Sequence, residues 1–487
     1  MAVDFKYYEI SMSVDYYRKL IRPIFQDRKI IVAMGVVARM TKFSEMLLDL
    51  GAQQCLLVGA GEGTGELPDR ETIPWIVAVE ERAPDFLTGI RNYEAALNDP
   101  SAAVIDAIEA FDPHSEALVL SSHVSDIDNL AGRPRLGARK RAWQALEDKV
   151  VIDAFWDRAS VDRTPVELVD AGDLQACWRA SKGMDWGAGA AWSGDAREGF
   201  NGGARYVRHV QSESDAAQAH RFFDDHCDQV RIMPFLEGVP CSVHAMVFAD
   251  QTIAFRPVEM ITLRRPDAPT LLYSGTSTWW DPPARDRAVM REMARHIGEC
   301  LRDEVDYRGA FTVDGVLSAQ GFFPTELNAR SGGAFADLYA GDRRLPLQLL
   351  NCCVRHGHEL DYRPQRLERL VLELADEHRT GSGRTTVDTV FEKTETYELM
   401  MEPDIRLAED DEEGQATLSL GPSEVGGFVS FRPHEGTVSK GQLLAPLVAR
   451  AWALSDELFD TEIGSVIPAS SVSRDERKGS TMGPVDA

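Results

Sequence analysis

The sequence predicts a mixed α/β (α+β) protein with a parallel α/β region first, a larger α+β region next and a small β-rich region last. Three observations carry this. Four short apolar runs, KIIVAM at 29–34, QCLLV at 54–58, WIVAV at 75–79 and ALVLS at 117–121, are spaced by polar or helix-like segments, as in strands of a small parallel sheet. Two alternating stretches, 310–317 and 322–328, flank a short polar link and read as a hairpin. Beyond residue 425, strand-like stretches are punctuated by Gly and Pro. A chain of 487 residues suits about three domains, expected at 1–134, 135–360 and 361–487, with a polar, disordered tail from about 469.

Composition excludes several partners. A net charge of −26, from 52 basic and 78 acidic residues, opposes binding to nucleic acid or an anionic membrane. No window has the length and apolarity of a membrane span, and no signal-peptide pattern opens the chain. Seven cysteines without metal-like spacing fit a reducing cytoplasm, and the adjacent Cys352 and Cys353 read as core. Only ten of the basic residues are Lys, so each Lys near a phosphate site is informative.

Along the chain, GAGEGTGELP at 59–68 lacks the helix that a phosphate cradle needs after its glycines and is expected to be a flexible loop at a domain edge. The basic segment GRPRLGARKRAWQAL at 132–146 is expected to open a helix. LQACWRASKGMDWGAGAAW at 174–192 reads as a strand followed by a Gly-rich turn, with Gly183, Gly187 and Gly189 able to bring backbone N–H groups close to a phosphate. VRIMPFLEGVPCSVHAMVF at 230–248 reads as strand, turn, strand. In FRPVEMITLRR at 255–265, Arg256 and Glu259 fall on opposite faces of a regular strand. Val289, Met293, Ile297, Leu301 and Val305 recur at four-residue steps and are expected to form the buried stripe of a helix over 286–305. EDDEEG at 409–414 is a solvated acidic loop. The stretch 426–450 reads as a small β module, and its Lys440 lies outside the Met-Lys-Met context of a biotinyl or lipoyl carrier.

The hairpin carries the chemistry. With Ala319, Gln320 and Gly321 as a three-residue loop, Asp314 lies opposite Glu326, and Asn328 shares the face of Glu326. Opposed carboxylates ask for a cation, and an all-oxygen set with few protein ligands suits Mg²⁺ shared with nucleotide phosphates. An exposed acidic hairpin is the plainer alternative. Ser331, Gly332 and Gly333 then form a turn whose free N–H groups lie beside this site.

The motif DGVL at 314–317 followed by TELNAR at 325–330 is similar to the metal-binding strands of the ATP-grasp superfamily. With PFLEGVPCSVH at 234–244 and RPVEM at 256–260, the chain resembles the pheganomycin-type peptide ligases over most of 30–465. The resemblance implies an ATP-grasp fold with an N-terminal pre-ATP-grasp domain and a distinctive C-terminal domain, and it implies roles. Asp314, Glu326 and Asn328 would hold magnesium. Arg330 and Arg256 would contact the transferred phosphate. Lys140, with Arg179 or Lys182 in place of the family's strand lysine, and the loop at 183–189 would bind the ATP phosphates. Met233, Pro234, Phe235 and Leu236 would meet the adenine, with Glu237 near the ribose. From the residues themselves, Glu259 would recognise a cationic substrate group or sit in a surface ion pair, and the turn at Ser331, Gly332 and Gly333 would bind the substrate carboxylate or simply connect two elements.

The implied activity is ATP-dependent ligation of a carboxylate to an amine through an acyl-phosphate, forming a peptide bond in natural-product biosynthesis. Its substrates would be small-molecule amino acids and peptides, and a homodimer is expected from such relatives. An ATP-grasp kinase, a ligase of a non-peptide acid and an inactive peptide-binding homologue are the alternatives.

Overall fold

The computed structural model describes residues 2–470, with side chains from Glu9 onward; the polar tail beyond 470 lies outside the described residues. The N-terminal region runs α1 (Ala2–Phe25), β1 (Lys29–Ala33), α2 (Val37–Asp49), β2 (Gln54–Gly59), β3 (Trp75–Val77), α3 (Phe86–Asn98), α4 (Ala102–Phe111) and β4 (Leu118–Ser121). The four apolar runs are all strands, paired in parallel in the order β3-β2-β1-β4. Helices cover both faces, which is why β1 and β2 are buried almost throughout. The glycine-rich stretch after β2 is no free edge. Thr64 Oγ1 donates to the Pro422 carbonyl at 2.9 Å, and the Gly65 N–H donates to Thr394 Oγ1 at 3.0 Å, so the loop docks on the C-terminal strands.

A short β5 (Asn129–Leu130) and β6 (Arg133–Pro134) pair, then α5 (Arg141–Gln144), a 3₁₀ turn at Ala145–Glu147 and α6 (Ile152–Arg158), lead into a second unit. It contains β7 (Glu167–Asp170), α7 (Leu174–Met184), β8 (Ala190–Gly194), β9 (Val207–Val210), α8 (Glu213–His226) and β10 (Gln229–Pro234). Its strands form an antiparallel sheet in the order β7-β10-β8-β9. The strand expected at the start of 174–192 is the helix α7. Asp173 caps it by accepting the Ala176 N–H at 2.8 Å, and Cys177, Ala180 and Ser181 are its buried residues, a three-and-four spacing that marks a helix.

The third sheet begins with β11 (Gly238–Val247), β12 (Thr252–Arg264) and β13 (Leu271–Ser277), followed by α9 (Ala284–Val305), β14 (Gly309–Ser318) and β15 (Gly321–Asn328). After α10 (Leu347–His356) and α11 (Pro364–Glu377) come β16 (Gly381–Val387), β17 (Glu395–Met400), β18 (Arg406–Leu407), β19 (Ala416–Pro422), β20 (Gly427–Pro433), α12 (Ala445–Phe459) and β21 (Ile467–Pro468). Among the described residues these strands make one eleven-stranded sheet with the path β15-β14-β11-β12-β13-β16-β20-β19-β17-β18, and β21 joins β12. The sheet runs through residue 360 without a break, and α11 packs on β12. In α9 the buried residues are Met290, Ala294, Ile297, Gly298 and Leu301, while Val289 is 56% exposed. Four-residue steps advance about 40° each around a helix of 3.6 residues per turn, so five such residues cannot share one face. Residues 445–450, expected in a β module, open α12. No helix among the described residues is long and apolar enough to cross a membrane, and all seven cysteines are free.

Candidate active site

The hairpin opposes Asp314 and Glu326 as expected, by a different route. Ser318 pairs with Gly321, so the turn holds two residues, and Gly321 takes the positive φ of +130° that favours glycine. The register then shifts between Asp314 and Gly315. Thr325 is the extra residue, and its hydroxyl donates to the Asp314 carbonyl at 3.2 Å. A bulge thus supplies the residue that the turn lacks, and the two carboxylates meet.

Around them, polar groups form one connected cluster. Ser242 on β11 donates to Asp314 Oδ1 at 2.5 Å, and Asn328 Nδ2 donates to Asp314 Oδ2 at 2.8 Å. Arg330 donates through Nη2 to Asn328 Oδ1 at 2.6 Å and through Nε to Glu147 at 3.3 Å. Arg139 holds the other Glu147 oxygen at 2.6 Å. Burial, and then the charge of Glu326, raise the pKa of Asp314, as two acids facing each other away from bulk water require. Among the described residues no three His, Cys, Asp or Glu side chains gather as a metal cage. The donor set is two carboxylates and an amide oxygen, which fits an ion that completes its shell with water and phosphate.

The cation that joins this cluster is Lys149, which sequence reasoning missed. Its Nζ donates to Glu326 Oε1 at 2.9 Å and to Asn201 Oδ1 at 3.2 Å, with the side chain only 5% exposed. Lys140, the expected residue, is 54% exposed and pairs with Asp306 at 2.8 Å, outside the cluster. The signal was present: in EDKVVIDAF the Lys lies just before an amphipathic helix whose Ile152, Phe155 and Trp156 are core.

The phosphate-loop expectation moves in the same way. Arg179 and Lys182 lie on the exposed face of α7, with Lys182 over the Trp178 ring at 5.6 Å. Gly183 lies in the last turn of that helix. The N–H groups of Gly187 and Gly189 donate to Asp185 Oδ1 at 2.7 and 2.8 Å, so the chain's own carboxylate occupies the cradle that a phosphate would need. The loop that reaches the hairpin is 195–206, DAREGFNGGARY, between β8 and β9. Asn201 anchors it by donating to the Asp195 carbonyl at 2.8 Å, and Phe200 lies under the Arg330 guanidinium at 5.2 Å. β8 itself, AAWSG, carries no Lys or Arg.

Met233 and Pro234 end β10 and are buried, as is Leu236 in the link to β11, and Phe235 is stacked on His209 at 3.5 Å between ring centroids. The Phe235 N–H donates to the Gly189 carbonyl at 3.0 Å. Glu237 receives two hydrogen bonds from Arg264, at 2.8 and 2.5 Å, and one from Ser470; these partners hold its pKa below the usual range. Ser331 is buried and Gly332 begins a turn closed by the Phe335 N–H at 3.1 Å. Behind it, His244 donates to or accepts from Thr312 Oγ1 at 2.8 Å, and burial holds its pKa at about 3.

Two expected site residues prove structural. Arg256 is fully buried on β12 and spends its guanidinium on Asp376 at 2.7 Å, the Trp280 carbonyl at 2.8 Å and Asp281 at 3.3 Å. Glu259 accepts the Leu444 and Ala445 N–H groups at 2.8 and 2.9 Å, capping the start of α12. Burial pushes its pKa up to about 7. Neither group is free for substrate.

No family model matches the sequence, and no curated protein matches it. Solved structures do match in fold. The biotin carboxylase domain dimer of Hydrogenobacter thermophilus 2-oxoglutarate carboxylase, in complex with MgADP, ADP and bicarbonate, is similar at a TM-score of 0.52 and 12% identity, covering 93% of this chain and 95% of that one. The ADP complex of purK, N5-carboxyaminoimidazole ribonucleotide synthetase, reaches a TM-score of 0.49 at 10% identity over 89% of this chain and 98% of its own. The Aspergillus clavatus N5-carboxyaminoimidazole synthase, with ADP and aminoimidazole ribonucleotide, also reaches 0.49 at 10%, over 88% and 98%. The protein is an α/β chain with the ATP-grasp fold.

Proposed function

We propose that the protein is an ATP- and Mg²⁺-dependent carboxylate–amine ligase, and that its product is a peptide bond. The observation that carries this is the Asp314–Glu326–Asn328 face with Lys149 and Arg330 beside it and the 195–206 loop above it. The MgADP and ADP bound by the biotin carboxylase domain of similar fold support a nucleotide here.

In this reading Asp314, Glu326 and the Asn328 amide oxygen would hold magnesium, which would supply positive charge to offset that of the nucleotide phosphates during phosphoryl transfer. Lys149 and Arg330 bind phosphate oxygens and stabilise the transfer. Asn201 positions Lys149, and Glu147 orients Arg330. The 195–206 loop covers the acyl-phosphate against water, and the segment Met233–Leu236 at the end of β10 receives the adenine. The amine then displaces phosphate from the acyl carbon.

Incubation with ATP, Mg²⁺ and a matrix of amino acids and short peptides, read by ADP and product mass, is expected to give amine-dependent ADP release and a condensed product. No ADP above background with any pair overturns the ligase reading. A phosphorylated product formed without amine identifies a kinase. The absence of a lysine on β8 favours one second reading, an inactive homologue that binds peptides, and the same assay decides between them.

A further inference from the structure

Beside the acid pair, a second row of polar side chains crosses the large sheet. Ser242, Asp314 and Glu326 stand opposite one another on β11, β14 and β15, and two residues along each strand His244, Thr312 and Asn328 do the same. Steps of two keep side chains on one face, so the second row shares the face of the acid pair. It holds Arg330 from two sides. Asn328 Oδ1 receives the guanidinium at 2.6 Å, and Thr312 Oγ1 donates to the Arg330 carbonyl at 3.2 Å.

His244 stands at the end of this chain. The Thr312 hydroxyl has one proton and gives it to a carbonyl that can only accept, so the 2.8 Å bond between His244 Nδ1 and Thr312 Oγ1 is donated by the imidazole. Burial keeps the ring neutral, which leaves it that single N–H. Nε2 is then an acceptor, buried and without a partner among the described residues. The turn after Arg330 lies directly on this pair: a Cβ on Gly332 would come within 2.7 Å of His244 Cε1 and 2.9 Å of Thr312 Oγ1. A buried imidazole with one orphaned nitrogen costs more than the apolar Val243, Ala245 and Met246 that are buried around it on β11. Packing therefore does not account for a histidine at this place, whereas its bond to Thr312 does.

We propose that His244 is a positioning residue: through Thr312 it fixes the backbone of Arg330, and so holds the guanidinium where it meets the transferred phosphoryl group. The phosphoryl contact rests on the ligase reading; the tethering of Arg330 does not. Asn328 and Glu147 set the tip of the arginine, and Thr312 sets its root. A tip held without its root drifts, and a displacement of about 1 Å in a catalytic group is worth about a hundredfold in rate.

The test begins on the full chain without nucleotide. With arginine labelled at Nε and the Arg330 signal identified by its loss in Arg330→Lys, nuclear relaxation is expected to show a rigid Nε–H in the wild type and a mobile one in His244→Leu. His244→Asn, whose amide N–H takes the place of Nδ1–H, should restore the rigid signal. Equal rigidity in all three overturns the proposal, whatever the protein does with ATP. Where His244→Leu does not fold, Thr312→Val cuts the same link from the other side and is read in the same way. During turnover, His244→Leu should lower kcat at least about tenfold with the KM of ATP within about threefold, and His244→Asn should regain most of it. In an Arg330→Met background the same Leu substitution should cost less than about twofold; a further loss of about tenfold there shows that His244 acts on another group and overturns the assignment. Absence of ADP release by the wild type sinks the ligase reading alone, and the relaxation result then decides the tether.

Discussion

Two glycine-bearing loops leave the same strand in opposite directions, and their difference is instructive. The loop before β8 folds its amides onto Asp185 and meets Phe235 through the Gly189 carbonyl. The loop after β8 sends Asn201 to Lys149 and Phe200 to Arg330. Glycine content is alike in both; what separates them is whether their hydrogen-bonding groups are satisfied at home or by the cluster on the large sheet. The same contrast divides the carboxylates and the basic residues. Glu326 faces another acid and a lysine, whereas Glu259 is consumed by a helix end. Arg330 reaches the cluster, whereas Arg256 is consumed by two aspartates and a carbonyl.

The largest effect should come from the opposed acids. Glu326→Gln is expected to lower turnover about a thousandfold or more with circular dichroism unchanged, and near-normal turnover would sink the metal assignment. Next is the lysine pair: Lys149→Met should cost about a hundredfold in turnover, and Lys140→Met less than about twofold. The reverse order would return the phosphate contact to Lys140.

Glu259→Gln tests the consumed class through stability. An acid raised from 4.5 to about 7 in the fold keeps its proton longer when folded than when unfolded. Wild-type stability should therefore fall as pH rises from about 4.5 to 7, by up to about 3 kcal/mol. The Gln variant should flatten that slope in denaturant titrations at pH 5 and pH 7, and an unchanged slope would remove Glu259 as its source. The smallest effects belong to α7, where Arg179→Ala and Lys182→Ala should leave KM for ATP within about twofold; a tenfold rise would restore them to the nucleotide site.

Legibility in the sequence followed the range of the forces involved. β1 to β4 and the hairpin were readable because strand alternation and continuous apolar runs are local signals. Asp314 and Glu326 were readable even though the turn was misjudged, since the Thr325 bulge offset the shorter loop. Lys149 was missed because its partners, Glu326 and Asn201, lie 177 and 52 positions away: the local segment marks the helix that follows it, and only the fold supplies the pairing. Arg256 and Glu259 looked functional because a charge in a strand between apolar residues has two explanations. Only the placement of Asp376 and α12 chooses between them. In α7, the Asp173 cap and the spacing of Cys177, Ala180 and Ser181 were available and pointed to a helix.

The unbroken path of strands from β15 to β18 has a mechanical consequence. Hydrogen-bonded edge to edge, it behaves as one stiff plate that carries the acid pair, Tyr273 and Arg384 at fixed spacing. The small sheet meets that plate through residues 235–237, the contacts of Arg208 and His209 with Thr270 and Pro269, the Trp186 ring against Phe323, and Phe200 under Arg330. Backbone pairing thus ties Asp314, Glu326 and Tyr273 into one frame, whereas the small sheet is held to that frame by one chain link, one strand bridge and side-chain contacts.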